Sequence, residues 1–322
     1  MRAAACERRL LMAKGEDRGR NGWADRAQNR WLWAGFAMPG IIWLALLFLV
    51  PFYTVLAIAG GQLNTIFQSP EPVWNPLNWT GANFTAVFHD LVGQGSFVGP
   101  IFARTLVYVT IASVLSLLIA YPAAYFVTRF AGRRKVLFLA LLIAPFWVSY
   151  MMRMLAWIGL LQIDGYVNRA LLDLHVVSQP IDWLGGKPAT VILGLVYGYI
   201  PYLILVLYAG LDRIDQRLIE AGRDLGLNRT RTFLRVTLPL SRQAILTGML
   251  ITVLPMIGDY FTNQLLSGAP STAMIGNVID SQLVTSSQQA QGAALSLLLL
   301  AFLLVPMVYY VVKTRHASSE AF

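Results

Sequence analysis

Six stretches of this chain carry almost no charge and are each long enough to cross a bilayer, which leaves few architectures open. They run over Ala34–Ala59, Thr105–Thr128, Val136–Leu161, Ala189–Gly210, Gln243–Leu266 and Gly292–Val312. A hydrocarbon core is spanned by about 20 apolar residues in a helix. A soluble fold is excluded by the same numbers. Of 322 residues 57% are hydrophobic and 13% charged, about half the ~25% charged share of a globular chain. The mean hydropathy is +0.58. The expectation is an all-α polytopic membrane protein with six transmembrane helices. Prolines fall inside these runs, at 39, 51, 122, 145, 201, 255 and 306. In a bundle, neighbouring helices can satisfy the carbonyls that proline frees, so these positions read as kinks and not as ends.

Charge placement sets the orientation. Segments 1–33, 129–135, 211–242 and 313–322 hold 21 of the 25 basic residues. The alternating segments 60–104, 162–188 and 259–291 hold only Arg104, Arg169 and Lys187, against seven acidic residues. Lys and Arg gather on the cytoplasmic side of membrane proteins, so both termini are expected in the cytoplasm. The net charge of +9 is thereby explained without nucleic acid. Residues 1–33 lack the apolar core of a secretory signal and read as a disordered basic tail. Loop 60–103 reads as loosely structured, and Tyr166–Leu174 as an amphipathic piece lying flat on the outer face.

Enzyme chemistry finds no support. No phosphate-loop, H-E-x-x-H or G-x-S-x-G pattern occurs, and Gly185-Gly186-Lys187-Pro188 lacks the first glycine and the hydroxyl of a phosphate loop. The three histidines are expected in loops outside the apolar runs, and the one cysteine, Cys6, excludes a disulfide framework or a multi-cysteine metal site. No cofactor is expected on this chain, so any energy for uphill transport comes from another chain or an ion gradient.

The longest internal basic segment, 211–242, reads as helix–turn–helix. Asp215 suits an N-cap. Leu218, Gly222 and Leu225 form an i, i+4, i+7 stripe, and Gly226 suits a left-handed C-terminal cap. Asn228 caps a second short helix carrying Phe233 and Val236 and ending at Pro239. By its residues alone the segment is either a solvated connector or a docking element.

Glu220-Ala221-Gly222, Leu225-Gly226, Phe233 and Leu238-Pro239 resemble the EAA loop of ABC importer permeases. Two departures are Gly222, where alanine is usual, and Gln243-Ala244, where Pro-Gly often follows. The likeness extends to Tyr121-Pro122-Ala123-Ala124-Tyr125-Phe126, Pro145-Phe146-Trp147-Val148-Ser149 with Arg153 and Trp157, Gly258-Asp259-Tyr260, Ser267-Gly268-Ala269-Pro270 and Met274-Ile275-Gly276-Asn277. Together these are similar to the spermidine/putrescine branch. The resemblance implies a type I permease fold with residues 104–312 as its core, in a bacterial cytoplasmic membrane. It also implies two copies of an ABC ATPase that hold ATP and Mg, a second homologous permease and a substrate-binding protein. Glu220, Ala221, Gly222, Leu225, Gly226, Phe233 and Pro239 would then couple to the ATPase. Opine, iron-carrier and other organic-amine permeases share much of this pattern.

Asp259, Tyr260, Trp147, Tyr150 and Arg153 are the candidates for a translocation path. Arg153 lies near the outer end of its span, where it can snorkel, and reads as structural ahead of substrate-binding. Asp259 is either a lining acid for a cationic solute or a helix-end acid paired with a hydroxyl, an amide or Arg153. The aromatic-rich stretches, which also include Tyr197, Tyr199 and Tyr202, suit ammonium groups as well as ordinary packing. A gradient-driven carrier is the alternative of a different class. It needs buried acids, and Asp259 alone qualifies.

Overall fold

The computed structural model describes residues 35–63, 70–93, 95–285 and 288–319. The expected basic tail and Cys6 lie outside them. Among the described residues the fold is helical apart from a two-residue antiparallel pairing of Gln62–Leu63 with Pro70–Glu71. Five helices are long and apolar enough to span: α1 (Gly35–Ala59), α3 (Val98–Arg129), α7 (Pro188–Asp212), α10 (Leu238–Ile257, continuous with a helical lead from Arg229) and α13 (Gln289–Ser319). A bent pair, α4 (Lys135–Ile143) with its 3₁₀ extension to Trp147, and α5 (Tyr150–Leu161), is long and apolar enough only when its two arms are taken together.

The bundle is centred on α3 and α7. Along α3, Ala112, Ser116, Ala120 and Ala124 recur every fourth residue, and all four are 0% exposed. Small residues at this spacing form a smooth ridge that lets a second backbone approach closely. Leu195, Leu203 and Leu207 of α7 fill the space beside it. In lipid there is no hydrophobic drive between helices, so this close fit carries the association. Helix α1 stands apart: its first two-thirds are exposed, and only Ala57 and Ala59 near its end are buried.

Four sequence expectations are corrected. The third span is not continuous but turns by 85° between α4 and α5. Pro145 sits in the 3₁₀ turn, and Val148 adopts extended backbone at ψ 138°, so the helical ladder cannot pass. The fifth span stops at Ile257, where Pro255 and Gly258 weaken the ladder, and a separate α11 (Phe261–Leu266) follows. Loop 60–103 is ordered where described. It contains α2 (Ala82–Val92) and is tied to α1 by Asn83, whose Nδ2 donates to the Ala59 and Gly61 carbonyls at 2.9 Å. Finally, the helix after Asn228 does not end at Pro239. A π-turn over Phe233–Thr237 carries it straight into α10. The wider turn lets the Leu238 N–H reach back to the Phe233 carbonyl, ahead of a proline that has no N–H to give.

The amphipathic piece forms α6 (Tyr166–Asp173). The remaining helices are α8 (Gln216–Asp224), α9 (Arg229–Thr232) and α12 (Ile275–Val284). Segments 129–135 and 211–242 meet at one end of the bundle, joined by the Lys135–Asp212 ion pair at 2.6 Å and by Arg129 Nη2 donating to the Leu211 and Ile214 carbonyls. At the opposite end Arg104 holds the 270–273 turn. Its Nε donates to the Ala273 carbonyl at 2.9 Å and its Nη1 to the Ser271 carbonyl at 2.5 Å.

Candidate functional site

The sequence candidates fall into two clusters, one at the basic end and one inside the bundle. At the basic end the punctuation is as read. Asp215 Oδ1 accepts from the Arg217 N–H at 2.9 Å, and Asn228 Oδ1 from the Arg231 N–H at 2.8 Å. Gly226 has φ +84°, and the Leu227 N–H returns to the Gly222 carbonyl at 3.2 Å, closing a left-handed C-terminal cap. The stripe divides differently from expectation. Ile219 and Gly222 face inward, whereas Leu218 is 50% and Leu225 86% exposed. Glu220, Ala221 and Gly226 also face outward. Behind them Phe233 packs edge-on against Tyr121 and Tyr125 of α3, with ring centroids 5.8 and 5.5 Å apart. Tyr121 is fixed in turn by a 2.9 Å bond to Ser241 of α10. Pro239 is exposed in the first turn of α10. A short capped helix thus presents leucines with Glu220 and Asp224 outward, while Gly222 faces Thr232 and Val236 of the turn behind it.

Inside the bundle, Asp259 sits in the break between α10 and α11 and is 8% exposed. Its Oδ2 accepts from Tyr150 at 3.0 Å, Tyr199 at 3.2 Å and Thr262 Oγ1 at 2.7 Å, and its Oδ1 accepts the Thr262 N–H at 3.0 Å. Four donors satisfy a carboxylate, so this acid is held without a cation. It pairs with hydroxyls and an amide and forms no ion pair with Arg153. Tyr150 has room because residue 198 is glycine: a Cβ there would lie 2.9 Å from the Tyr150 ring.

Arg153 is 7% exposed and lies on the first turn of α5, beside Asp259's partner Tyr150. It does not snorkel. Its Cζ lies 4.2 Å from the Phe146 ring centroid, 5.4 Å from that of Tyr150 and 5.8 Å from that of Tyr197, while Nε and Nη1 are buried with no hydrogen-bond partner. Tyr260 stacks on Phe261 at 4.3 Å and stands at the edge of this cluster, its carbonyl accepting from Asn277. Trp147 is not part of it, pointing away from the bundle at 86% exposed.

The residues 10–316 match the family of binding-protein-dependent transport system inner membrane components. The chain is a member of that family. It is the permease subunit of an ABC importer, a multi-pass protein of the inner membrane. It is 33% identical to the spermidine/putrescine transport system permease protein PotB of Haemophilus influenzae, over 83% of this chain and 89% of the relative. It is 33% identical to the Escherichia coli protein of that name, over 68% of this chain and 80% of the relative. The fold is that of a chain in a bacterial alginate ABC transporter crystallised with its alginate-bound periplasmic protein, at TM-score 0.69 and 16% identity, covering 90% of this chain and 96% of that one.

Within this permease, sequence reasoning named Asp259, Tyr150 and Arg153 but left out Phe146, Thr262 and Gly198. For Thr262 the spacing to Asp259 places it one helical turn on, which brings its hydroxyl within reach of the acid. No such local signal existed for Gly198 and Phe146, whose roles depend on what packs against them.

Proposed function

We propose that this chain is one of two permease subunits of a polyamine importer, driven by an ABC ATPase that seats on α8. The observation that carries the reading is the knob at 216–226. It leaves Leu218 and Leu225 uncovered beside the exposed Glu220, while Gly222 rests on Thr232 and Val236 of the turn whose Phe233 packs on α3 and which runs into α10. An exposed leucine pair on a short helix with its own caps suits a groove on a soluble partner. In this reading two ATPase copies carry ATP and Mg, and their closure pulls on α8. The basic end faces the cytoplasm with both termini, and a binding protein delivers solute to the acidic end. Glu220, Ala221, Gly222, Leu225, Gly226, Phe233 and Pro239 pass the motion on to the spans. Asp259, with Tyr150 and Tyr199, lines the path at the point where α10 breaks.

The polyamine assignment is supported by the relatives' activity over most of this chain's length, and by the excess of acid over base in segments 60–104, 162–188 and 259–291. The test is the ATPase rate of the assembled transporter in lipid vesicles. Binding protein loaded with putrescine or spermidine should raise it several-fold over unloaded protein. No stimulation by either amine removes the substrate assignment, and failure of any ATPase chain to co-purify removes the coupling assignment.

A further inference from the structure

The Arg153 guanidinium is poorly matched to the place it occupies. Three aromatic faces surround it, from Phe146 before the helix break, Tyr150 just after it, and Tyr197 on α7. Trp157 backs Tyr197 edge-on, with ring centroids 5.3 Å apart. Ring faces attract a cation through their quadrupole, but they offer no strong acceptor, and a guanidinium brings five N–H donors. Nε and Nη1 are accordingly buried without partners. Among the described residues no carboxylate lies within ion-pair distance of Arg153. The nearby acid, Asp259, is already filled by Tyr150, Tyr199 and Thr262. An alkylammonium group has fewer donors, flanking methylenes that pack on rings, and no need for a planar fork of acceptors. The enclosure therefore fits an alkylammonium better than its present occupant.

We propose that the Phe146–Tyr150–Tyr197 cage is an ammonium subsite of the translocation path, and that Arg153 is its built-in plug. The inference deepens the polyamine reading and rests on it. Two cations cannot share one small cage, so solute entry and Arg153 residence exclude one another. The geometry also supplies a way to open it. Phe146 and Arg153 lie on opposite sides of the 85° turn at Val148–Ser149, so a change in that angle parts the plug from the nearest ring. Tyr150 ties the cage to the acid, presenting its ring to the cation and its hydroxyl to Asp259 Oδ2 at 3.0 Å. A solute with two ammonium groups could engage the cage with one and take a hydroxyl's place on Asp259 with the other.

The test uses the full chain in lipid nanodiscs, with n-butylammonium and putrescine as probes. Arg153→Gln should bind both about tenfold more tightly than wild type, Arg153→Lys, which places an alkylammonium in the cage, should bind both no more tightly than wild type, and adding Phe146→Leu to Arg153→Gln should abolish the gain. Equal affinity of wild type and Arg153→Gln for both probes, or a gain that survives Phe146→Leu, overturns the proposal. Should Arg153→Gln not fold, phenylglyoxal labelling of wild type read at Arg153 by peptide mass spectrometry replaces it. Labelling should rise several-fold with saturating n-butylammonium, and an unchanged level overturns the plug. Because n-butylammonium is not a polyamine, failure of the cage is distinguishable from failure of polyamine-stimulated ATP hydrolysis.

Discussion

At the scale of single residues, glycines set the geometry of both clusters in opposite ways. A Cβ at Gly276 would lie 2.6 Å from the Gly258 carbonyl oxygen and 2.9 Å from that of Asp259. Both are backbone atoms, so the turn presenting Asp259 has to move to admit a methyl group. Gly276→Ala should lower stability by about 1–3 kcal/mol, seen as an earlier melting midpoint of the purified permease. A midpoint equal to wild type would show that the turn is not held by this contact. At Gly222 the Cβ meets Val236, Leu227 and Thr232 at 3.4–3.6 Å, ordinary van der Waals contact in a helix. Gly222→Ala, the residue the motif usually carries, should therefore stabilise by about 0.5–1 kcal/mol. Four residues on the sign reverses, because Gly226 has φ +84° and Gly226→Ala has to bear a left-handed backbone at a cost of about 1–2 kcal/mol. Melting curves of the two alanine variants should move in opposite directions.

Among elements, what could be read from sequence tracks how local the cause is. Asp215, Gly226 and Asn228 act on their own turns, and their caps were legible. The apolar runs announced the spans because lipid allows few alternatives. The 85° turn was not legible: Pro145 signals weakness, but the angle depends on what α5 packs against. Nor were Asp259's partners, since Tyr199 is 60 residues away and Tyr150 is 109. The stripe of α8 was assigned to one face because leucine and glycine were counted together, whereas the bundle accepts Ile219 and Gly222 and leaves the leucines out. The small-residue ridge of α3 was visible in the spacing of Ala112, Ser116, Ala120 and Ala124 but has meaning only once α7 lies on it. Ala120→Leu, in a helix contact with no spare volume, should cost about 1–3 kcal/mol or more and lower the yield of folded permease. Ala103→Leu, on the exposed side of the same helix, should be neutral in the same melting assay.

For the molecule as a whole, polarity is divided by end. Segments 129–135 and 211–242 are bound together by Arg129 and Lys135, and Arg104 gathers the turn at the far end. In the orientation proposed above, both chain ends lie on the side of the first pair. A phosphatase that folds only outside the cytoplasm should thus be inactive when fused after residue 319 and active when inserted near residue 178 in the loop after α6. The opposite result would invert the assignment of α8 as the ATPase seat. One consequence lies with α1. Among the described residues, its stretch 35–51 is largely exposed, and its contacts lie from Phe52 onward. Its fitness is then a matter of matching bilayer thickness instead of fitting a particular shape. Shuffling the order of its apolar residues between 36 and 50 would leave the permease intact, whereas removing a turn would pull the Asn83 tether toward the lipid headgroups.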